Sequence, residues 1–174
     1  MIELLVLYSL MSKELTMYGI KKHIDNVFAP YTKPSFGVIK PALTRLEKDN
    51  YIISRKSMSE GGKLSVYYSV TKSGTDKIKE LILKDCSKNP IQFFADARIK
   101  LSCSSALNDE DRNMFFHKLK NKTLEHKFEA ENILDDETLS LTFYQRITLD
   151  NTICEYQNFA DLIENLEKEN GRNS

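Results

Sequence analysis

The sequence has few of the residues that build metal, phosphate or catalytic sites. Its three cysteines, at positions 86, 103 and 154, match no zinc-ligand spacing. Its six glycines form no glycine-rich loop of the kind that holds phosphate groups. His23, His117 and His126 share no ligand-like spacing with one another or with acidic residues. The sequence therefore predicts no metal site, no cofactor and no catalytic residue, and we expect the protein not to be an enzyme.

Long hydrophobic runs are also missing. The longest apolar segment, residues 2–11, contains Glu3 and is far shorter than the ~20 residues that cross a bilayer. It also lacks the basic start and the small-residue cleavage site of a signal peptide. Scattered cysteines fit reduced thiols in the cytosol. We therefore expect a cytoplasmic protein without a membrane partner, in which residues 2–11 form a buried helix.

The chain has no net charge, but its two halves differ in sign. Residues 1–88 carry 15 Lys and Arg against 9 Asp and Glu, whereas residues 89–174 carry 10 against 16. Such asymmetry predicts one half that faces nucleic acid and another half with a different role. Asn89-Pro90 marks a break between them. We therefore predict a DNA-binding domain over residues 1–88 and a helical dimerisation domain over residues 89–174.

The N-terminal half predicts three helices followed by a β-hairpin. Thr16 begins a second helix that ends near Phe28, and Ser35 begins a third that ends near Asp49, with Asn50 as its stop residue. The buried faces are predicted to be Tyr18, Ile20, Ile24, Val27 and Phe28 in the second helix, and Val38, Ile39, Leu43 and Leu46 in the third. Residues 51–56 and 64–70 predict two strands around a polar loop. Three helices with a two-stranded wing form a winged helix-turn-helix.

The C-terminal half predicts long helices. Asn108, followed by three acidic residues, starts a helix to about residue 136, and another runs from about 139 to 168. Apolar residues in the last helix recur every four and three positions, as in a coiled coil. A second subunit is the expected partner for this seam, which consists of Leu149, Ile153, Tyr156, Ala160 and Ile163. The predicted fold class is mostly α with a small β-hairpin wing, an N-terminal winged helix-turn-helix plus a C-terminal long helical hairpin.

The N-terminal pattern resembles the PadR-like transcriptional regulators. The resemblance rests on the segments Tyr18–Lys22, Ser35–Asp49, Gly61–Lys63 and Tyr67–Gly74. It implies a homodimer that binds an inverted-repeat operator, mostly as a repressor, and many such proteins release DNA when a small hydrophobic effector binds. The sequence departs from the family at one position, where Lys40 replaces the usual tyrosine before the proline of the third helix.

The candidate DNA ligands are polar or basic residues of the three DNA-facing elements. A helix in the major groove needs such side chains on its open face. The candidates are Lys21 and Lys22 in the second helix, Ser35, Lys40, Thr44, Arg45 and Lys48 in the third helix, and Arg55, Lys56 and Lys63 in the wing. A solvated helix face is the alternative interpretation, and Arg45 could instead pair with Glu47 or Asp49.

Two alternatives to a repressor remain open. A winged-helix module that binds protein is the first, because Lys40 replaces the family tyrosine and a net charge of +6 over residues 1–88 is mild. A transcriptional activator is the second. The aromatic residues of the second half either fill the core or line an effector pocket.

Overall fold

The computed structural model describes residues 1–58, 62 and 64–172, and the chain forms two compact units. The first unit spans residues 1–106 and the second begins at Leu107. Its helices are α1 (Ile2–Ser9), α2 (Met17–Val27), α3 (Phe36–Lys48), α4 (Lys72–Leu83), α5 (Pro90–Ser102), α6 (Asp109–Asp135) and α7 (Phe143–Arg172), with a short 3-10 helix over Ser104–Ala106. The strands are β1 (Leu15–Thr16), β2 (Ile52–Met58) and β3 (Leu64–Val70). This order confirms the predicted fold class. Every helix in the described part of the chain is too short or too polar to cross a bilayer.

The core of the first unit is built around α1. This helix is apolar on nearly all sides because α2, α3 and α4 all pack against it. Leu4, Leu5, Val6 and Leu7 are fully buried, as the sequence predicts. Asn50 ends α3 with a φ of 58°, a left-handed conformation that asparagine tolerates. The prediction that Asn50 stops this helix is thus confirmed.

Three predicted core residues are instead exposed. Tyr18 and Val27 of α2 face solvent, and the inward face of that helix consists of Ile20 and Ile24 with Phe28 behind them. Val38 of α3 is also exposed, and Ala42 takes its place in the buried stripe. Helical periodicity gives the direction of the buried face but not its width, which depends on how closely neighbouring helices approach.

The wing contains one strand more than the sequence predicts. β2 and β3 form an antiparallel hairpin from Ile52 opposite Val70 to Met58 opposite Leu64. β1 pairs with the other edge of β3, so the strand order is β1-β3-β2. A strand of two residues cannot show an alternating pattern, and this explains why the sequence does not reveal it.

Helix α5 lies in the first compact unit. Its buried Lys100 donates hydrogen bonds to the carbonyls of Lys84 and Asp85, in the segment that follows α4. Asp96 accepts a hydrogen bond from the backbone N–H of Ser87 at 3.1 Å. These contacts fasten the segment after α4 to α5. The compact units therefore divide after residue 106, whereas the division of roles between residues 1–88 and 89–174 stays a prediction.

The second unit is a helical hairpin. Arg146 of α7 donates to the carbonyl of Leu134, and Lys120 of α6 pairs with Glu167, so the two helices run antiparallel. Between them lies a buried seam in which the His126 ring stacks on Tyr156, with 5.7 Å between ring centroids. Its other buried members include Leu119, Thr123 and Ala130 of α6 and Phe159, Ala160 and Ile163 of α7.

Candidate nucleic-acid interface

The open face of α3 is defined by its buried stripe, which consists of Ile39, Ala42, Leu43 and Leu46. Because a helix turns by about 100° per residue, residues 37, 41, 44 and 48 lie opposite this stripe. All four are exposed. We call the row formed by Gly37, Pro41, Thr44 and Lys48 the outward row. Lys40 lies on one flank of it and Arg45 on the other.

The lysines of α3 remain accessible. Lys40 and Lys48 are exposed, and neither makes an ion pair within the described ranges of the chain. The Thr44 hydroxyl donates to the Lys40 carbonyl at 3.2 Å and is also exposed. Ser35 is the N-cap residue, but its hydroxyl makes no capping hydrogen bond to the described backbone. The two ammonium groups and the Ser35 hydroxyl can therefore meet phosphate or base edges.

Arg45 forms an ion pair with helix α1 of its own unit. Its Nε lies 3.0 Å from Oε1 of Glu3 on α1, and about half of the side chain is exposed. The predicted alternative of Glu47 or Asp49 as its partner is therefore wrong, because the carboxylate comes from another helix. An exposed pair of this kind contributes ~0.2–1 kcal/mol, little enough for a phosphate to compete for the arginine.

Arg55 is held by two interactions at the base of the wing. Its Nε donates to Oε2 of Glu14 at 2.8 Å, its Nη2 donates to Oε1, and its guanidinium lies 5.4 Å from the ring centroid of Tyr67. The hydrogen bonds from Arg55 lower the pKa of the Glu14 carboxyl. Arg55 thus joins β2 to the segment before β1. Lys56, the next residue, is exposed. The predicted ligand Lys63 lies outside the described residues.

Helix α2 contributes an exposed aromatic side chain and a lysine that has no ion-pair partner among the described residues. Lys21 pairs with Asp25 one turn later, whereas Lys22 is exposed. The side chain of Tyr18 is 69% exposed, so its hydroxyl can donate to a phosphate oxygen. Helical periodicity predicts Tyr18 on the buried face, which is wrong, and no signal in the local pattern distinguishes the two orientations.

The five predicted dimerisation residues occupy two environments. Tyr156, Ala160 and Ile163 are buried in the seam of the hairpin, whereas Leu149 and Ile153 are half-buried. Their role in dimerisation stays a prediction. Other apolar side chains of the second unit are strongly exposed, among them Phe128, Phe143, Tyr144, Ile147 and Leu162. Within the described residues, no group of three or more His, Cys, Asp or Glu side chains could hold a metal ion.

Comparison with known proteins finds a family match within the N-terminal unit. Residues 6–80, which contain α2, α3 and the wing, match the Transcriptional regulator PadR-like family. No curated protein matches the chain. PadR of Bacillus subtilis in complex with operator DNA is 15% identical over 96% of each chain, with a TM-score of 0.44. The PadR-like transcriptional regulator BC1756 of Bacillus cereus is 21% identical over 100% of each chain, with a TM-score of 0.42. PadR of Bacillus subtilis in complex with p-coumaric acid is 15% identical over 97% of this chain and 98% of that chain, with a TM-score of 0.41.

Proposed function

Because residues 6–80 of this chain match the Transcriptional regulator PadR-like family, we propose that the protein is a cytoplasmic repressor that places α3 in the major groove of double-stranded DNA. The family is one of transcriptional regulators and not a class of enzymes. The observation that carries the proposal is the open face of α3, where Lys40 and Lys48 are exposed on either side of Thr44. Lys22 and Lys56 extend the basic surface to α2 and the wing.

The active species is proposed to be a homodimer that binds an inverted-repeat operator. Two copies of α3 would then enter successive major grooves, with half-sites about 10 base pairs apart or a multiple of that. The exposed apolar side chains of the second unit support a dimer. A stable interface buries about 800 Å² on each partner, and these side chains offer apolar surface for it.

A small hydrophobic effector is proposed to release the operator. At the start of α7 a shallow groove of about 390 Å³, open to solvent, is lined by Leu141, Tyr144, Gln145, Thr148 and Leu149. Aliphatic and aromatic walls with few polar groups suit such a ligand. An effector would release DNA only by binding the DNA-incompetent form of the dimer more tightly than the competent form.

The experiment that tests DNA binding is selection from a random double-stranded library, followed by gel-shift titration of the enriched duplex against scrambled competitor. We expect enrichment of an inverted repeat, a competitor-resistant shift at nanomolar protein, and affinity that falls steeply with salt. No enrichment, or only weak binding that salt abolishes, would overturn the proposal. A reporter gene placed downstream of the selected duplex distinguishes a repressor, which lowers its expression, from an activator, which raises it.

The second candidate function is a winged-helix module that binds another protein. Phe36 and Val38 favour it, because both are apolar and exposed on α3. If this candidate is correct, the selection enriches no duplex, because the exposed apolar surface of α3 binds a protein partner instead of DNA.

A further inference from the structure

The far half of the β2–β3 hairpin carries exposed apolar side chains on one face. Residues that lie directly opposite each other on paired strands point to the same side of a sheet, and so does every second residue of a strand. One face of this hairpin therefore consists of Ile52, Ser54, Lys56 and Met58 of β2 and Leu64, Val66, Tyr68 and Val70 of β3.

At its base this face meets helix α3. Ile52 is 1% exposed, and the Ser54 hydroxyl donates a hydrogen bond to Oε1 of Glu47 on α3. Further along the hairpin, Met58 and Leu64 lie opposite each other and are each 62% exposed. The face thus begins in the core beside α3 and continues outward as an apolar surface.

A lysine borders this apolar surface. Lys56 is exposed and lies directly opposite Val66, which is 37% exposed. We call the surface formed by Lys56, Met58, Leu64 and Val66 the wing face. Arg55, on the other face of the hairpin, is instead held in an ion pair. An accessible positive charge and apolar side chains therefore lie together on the wing face.

We propose that the wing face binds the wall of a DNA minor groove, with Met58 and Leu64 against the deoxyribose groups and Lys56 at a phosphate. The wall of that groove combines the same two chemistries, because apolar C–H groups of the sugars lie next to phosphates. Leucine and methionine are among the side chains with which proteins enter a minor groove. The inference rests on the proposed function, and it adds a contact whose strength comes from apolar burial more than from charge.

The length of the hairpin supports the minor groove as the place of this contact. Met58 lies four residues beyond Ser54, which spans about 13 Å at ~3.3 Å per residue. The minor groove is ~6 Å wide and is separated from the major groove by one sugar-phosphate strand. With α3 in the major groove, a hairpin that extends about 13 Å beyond its contact with α3 reaches past that strand.

The first test removes the apolar contact and keeps every charge. Met58→Ser/Leu64→Ser should weaken binding to the selected duplex by about tenfold, because two side chains in each subunit lose apolar contact. The slope of log K against log salt should stay unchanged, whereas Lys56→Ala should reduce its magnitude by about 2, one phosphate contact for each subunit of the dimer.

The matched control is Ile53→Ser, which removes an apolar side chain that is 60% exposed on the opposite face of β2. It should change neither the affinity nor the salt slope. All of these variants alter exposed side chains, so their thermal unfolding should match that of the unmodified protein. If Met58→Ser/Leu64→Ser binds as tightly as the Ile53→Ser control, the inference is overturned.

Footprinting of the complex locates the contact. Hydroxyl radicals cut DNA at sugars that are accessible from the minor groove, whereas dimethyl sulfate methylates guanine N7 in the major groove. We expect the unmodified protein to protect sugars beside each half-site. When Met58→Ser/Leu64→Ser saturates the duplex, those sugars should become accessible while guanine N7 stays protected by α3. Sugars beside the half-sites that are cut equally with and without the unmodified protein would also overturn the inference.

Failure of the inference can be distinguished from failure of the proposed function. A protein that selects a duplex but binds it equally well without Met58 and Leu64 retains the proposed function, and only the wing contact is excluded. A protein that selects no duplex lacks the proposed function itself, and the inference fails with it.

Discussion

Arg45 and Arg55 each form a salt bridge with a glutamate that lies about 40 residues earlier in the sequence. Glu3 and Glu14 thereby compensate the charge of two side chains that their positions would otherwise offer to DNA. Lys40 and Lys48 have no such partner within the described residues. At the scale of single residues, the lysines of α3 should therefore carry more of the electrostatic attraction to DNA than the arginines do.

The first prediction concerns these lysines. The double variant Lys40→Ala/Lys48→Ala should weaken binding to the selected duplex and reduce the magnitude of the slope of log K against log salt by about 4, because each subunit of the proposed dimer loses two phosphate contacts. The slope is measured by gel shift at several salt concentrations. Lys122→Ala/Lys168→Ala removes the same charge from exposed sites of the second unit and should leave the slope unchanged. An unchanged slope in the first variant would mean that α3 does not face the phosphates.

The second prediction concerns His23 and pH. Its Nδ1 lies 2.9 Å from the Ser9 Oγ, and burial beside Phe28, together with the charge of Lys13, lowers the pKa of His23. The folded state therefore binds a proton less readily than the unfolded state, whose pKa is near 6.5. The stability from neutral His23 is fully present above that value and is lost as pH falls below it.

Thermal unfolding at two pH values measures this effect. Lowering the pH from about 7.5 to about 5.5 should lower the Tm more in the unmodified protein than in His23→Gln. His117→Gln, which changes an exposed histidine, is the control. An equal decrease in all three proteins would contradict a role for His23.

At the scale of elements, the junction between β3 and α4 depends on a close backbone approach. Thr71 caps α4 by accepting a hydrogen bond from the N–H of Gly74. The Thr71 hydroxyl and N–H both donate to the Tyr51 carbonyl, each at 3.0 Å. A Cβ on Gly74 would lie 2.0 Å from that carbonyl oxygen and 2.8 Å from Cγ2 of Val70. This glycine therefore allows α4 to pack directly against the start of the wing.

The third prediction follows from that contact. Gly74→Ala should destabilise the first unit by about 3 kcal/mol, because the backbone must shift to relieve the clash. The measurement is the free energy of unfolding in urea. Gly37→Ala and Gly171→Ala add the same methyl group in open space and should not destabilise the protein. A Gly74→Ala protein as stable as these two would show that the junction can relax freely.

At the scale of the whole molecule, the hairpin uses part of its apolar surface internally. Tyr156, Ala160 and Ile163 lie in the seam, so they are covered within one chain. Phe143 and Tyr144, at the start of α7, are 69% and 80% exposed. Large exposed apolar side chains in a cluster are typical of interfaces. The proposed dimer should therefore depend on the exposed start of α7.

The fourth prediction tests this surface. Phe143→Ser/Tyr144→Ser should raise the dissociation constant of the dimer by at least tenfold, since each aromatic anchor contributes more than about 1 kcal/mol at an interface. Sedimentation analysis over a range of protein concentrations measures the effect. Tyr18→Ser removes an equally exposed aromatic side chain from the first unit and should leave the dimer intact. Unchanged association in the double variant would exclude the start of α7 from the interface.

The sequence by itself determined the three N-terminal helices with the β-hairpin, the caps at Thr16 and Asn108, the stop at Asn50 and the lysine-bearing face of α3. These features depend on neighbouring residues, through helical periodicity, capping and turn conformation. The predicted family follows from the same local segments.

Only the tertiary structure decided which polar and apolar groups remain available. The pairing of Arg45 with Glu3, the added strand β1 and the exposure of Tyr18 and Val38 all depend on segments far apart in the chain. The same holds for Gly37 and Gly74, which are alike in sequence terms but differ in the space around them. Periodicity describes one element at a time, whereas burial and ion pairing are set by which elements meet in three dimensions.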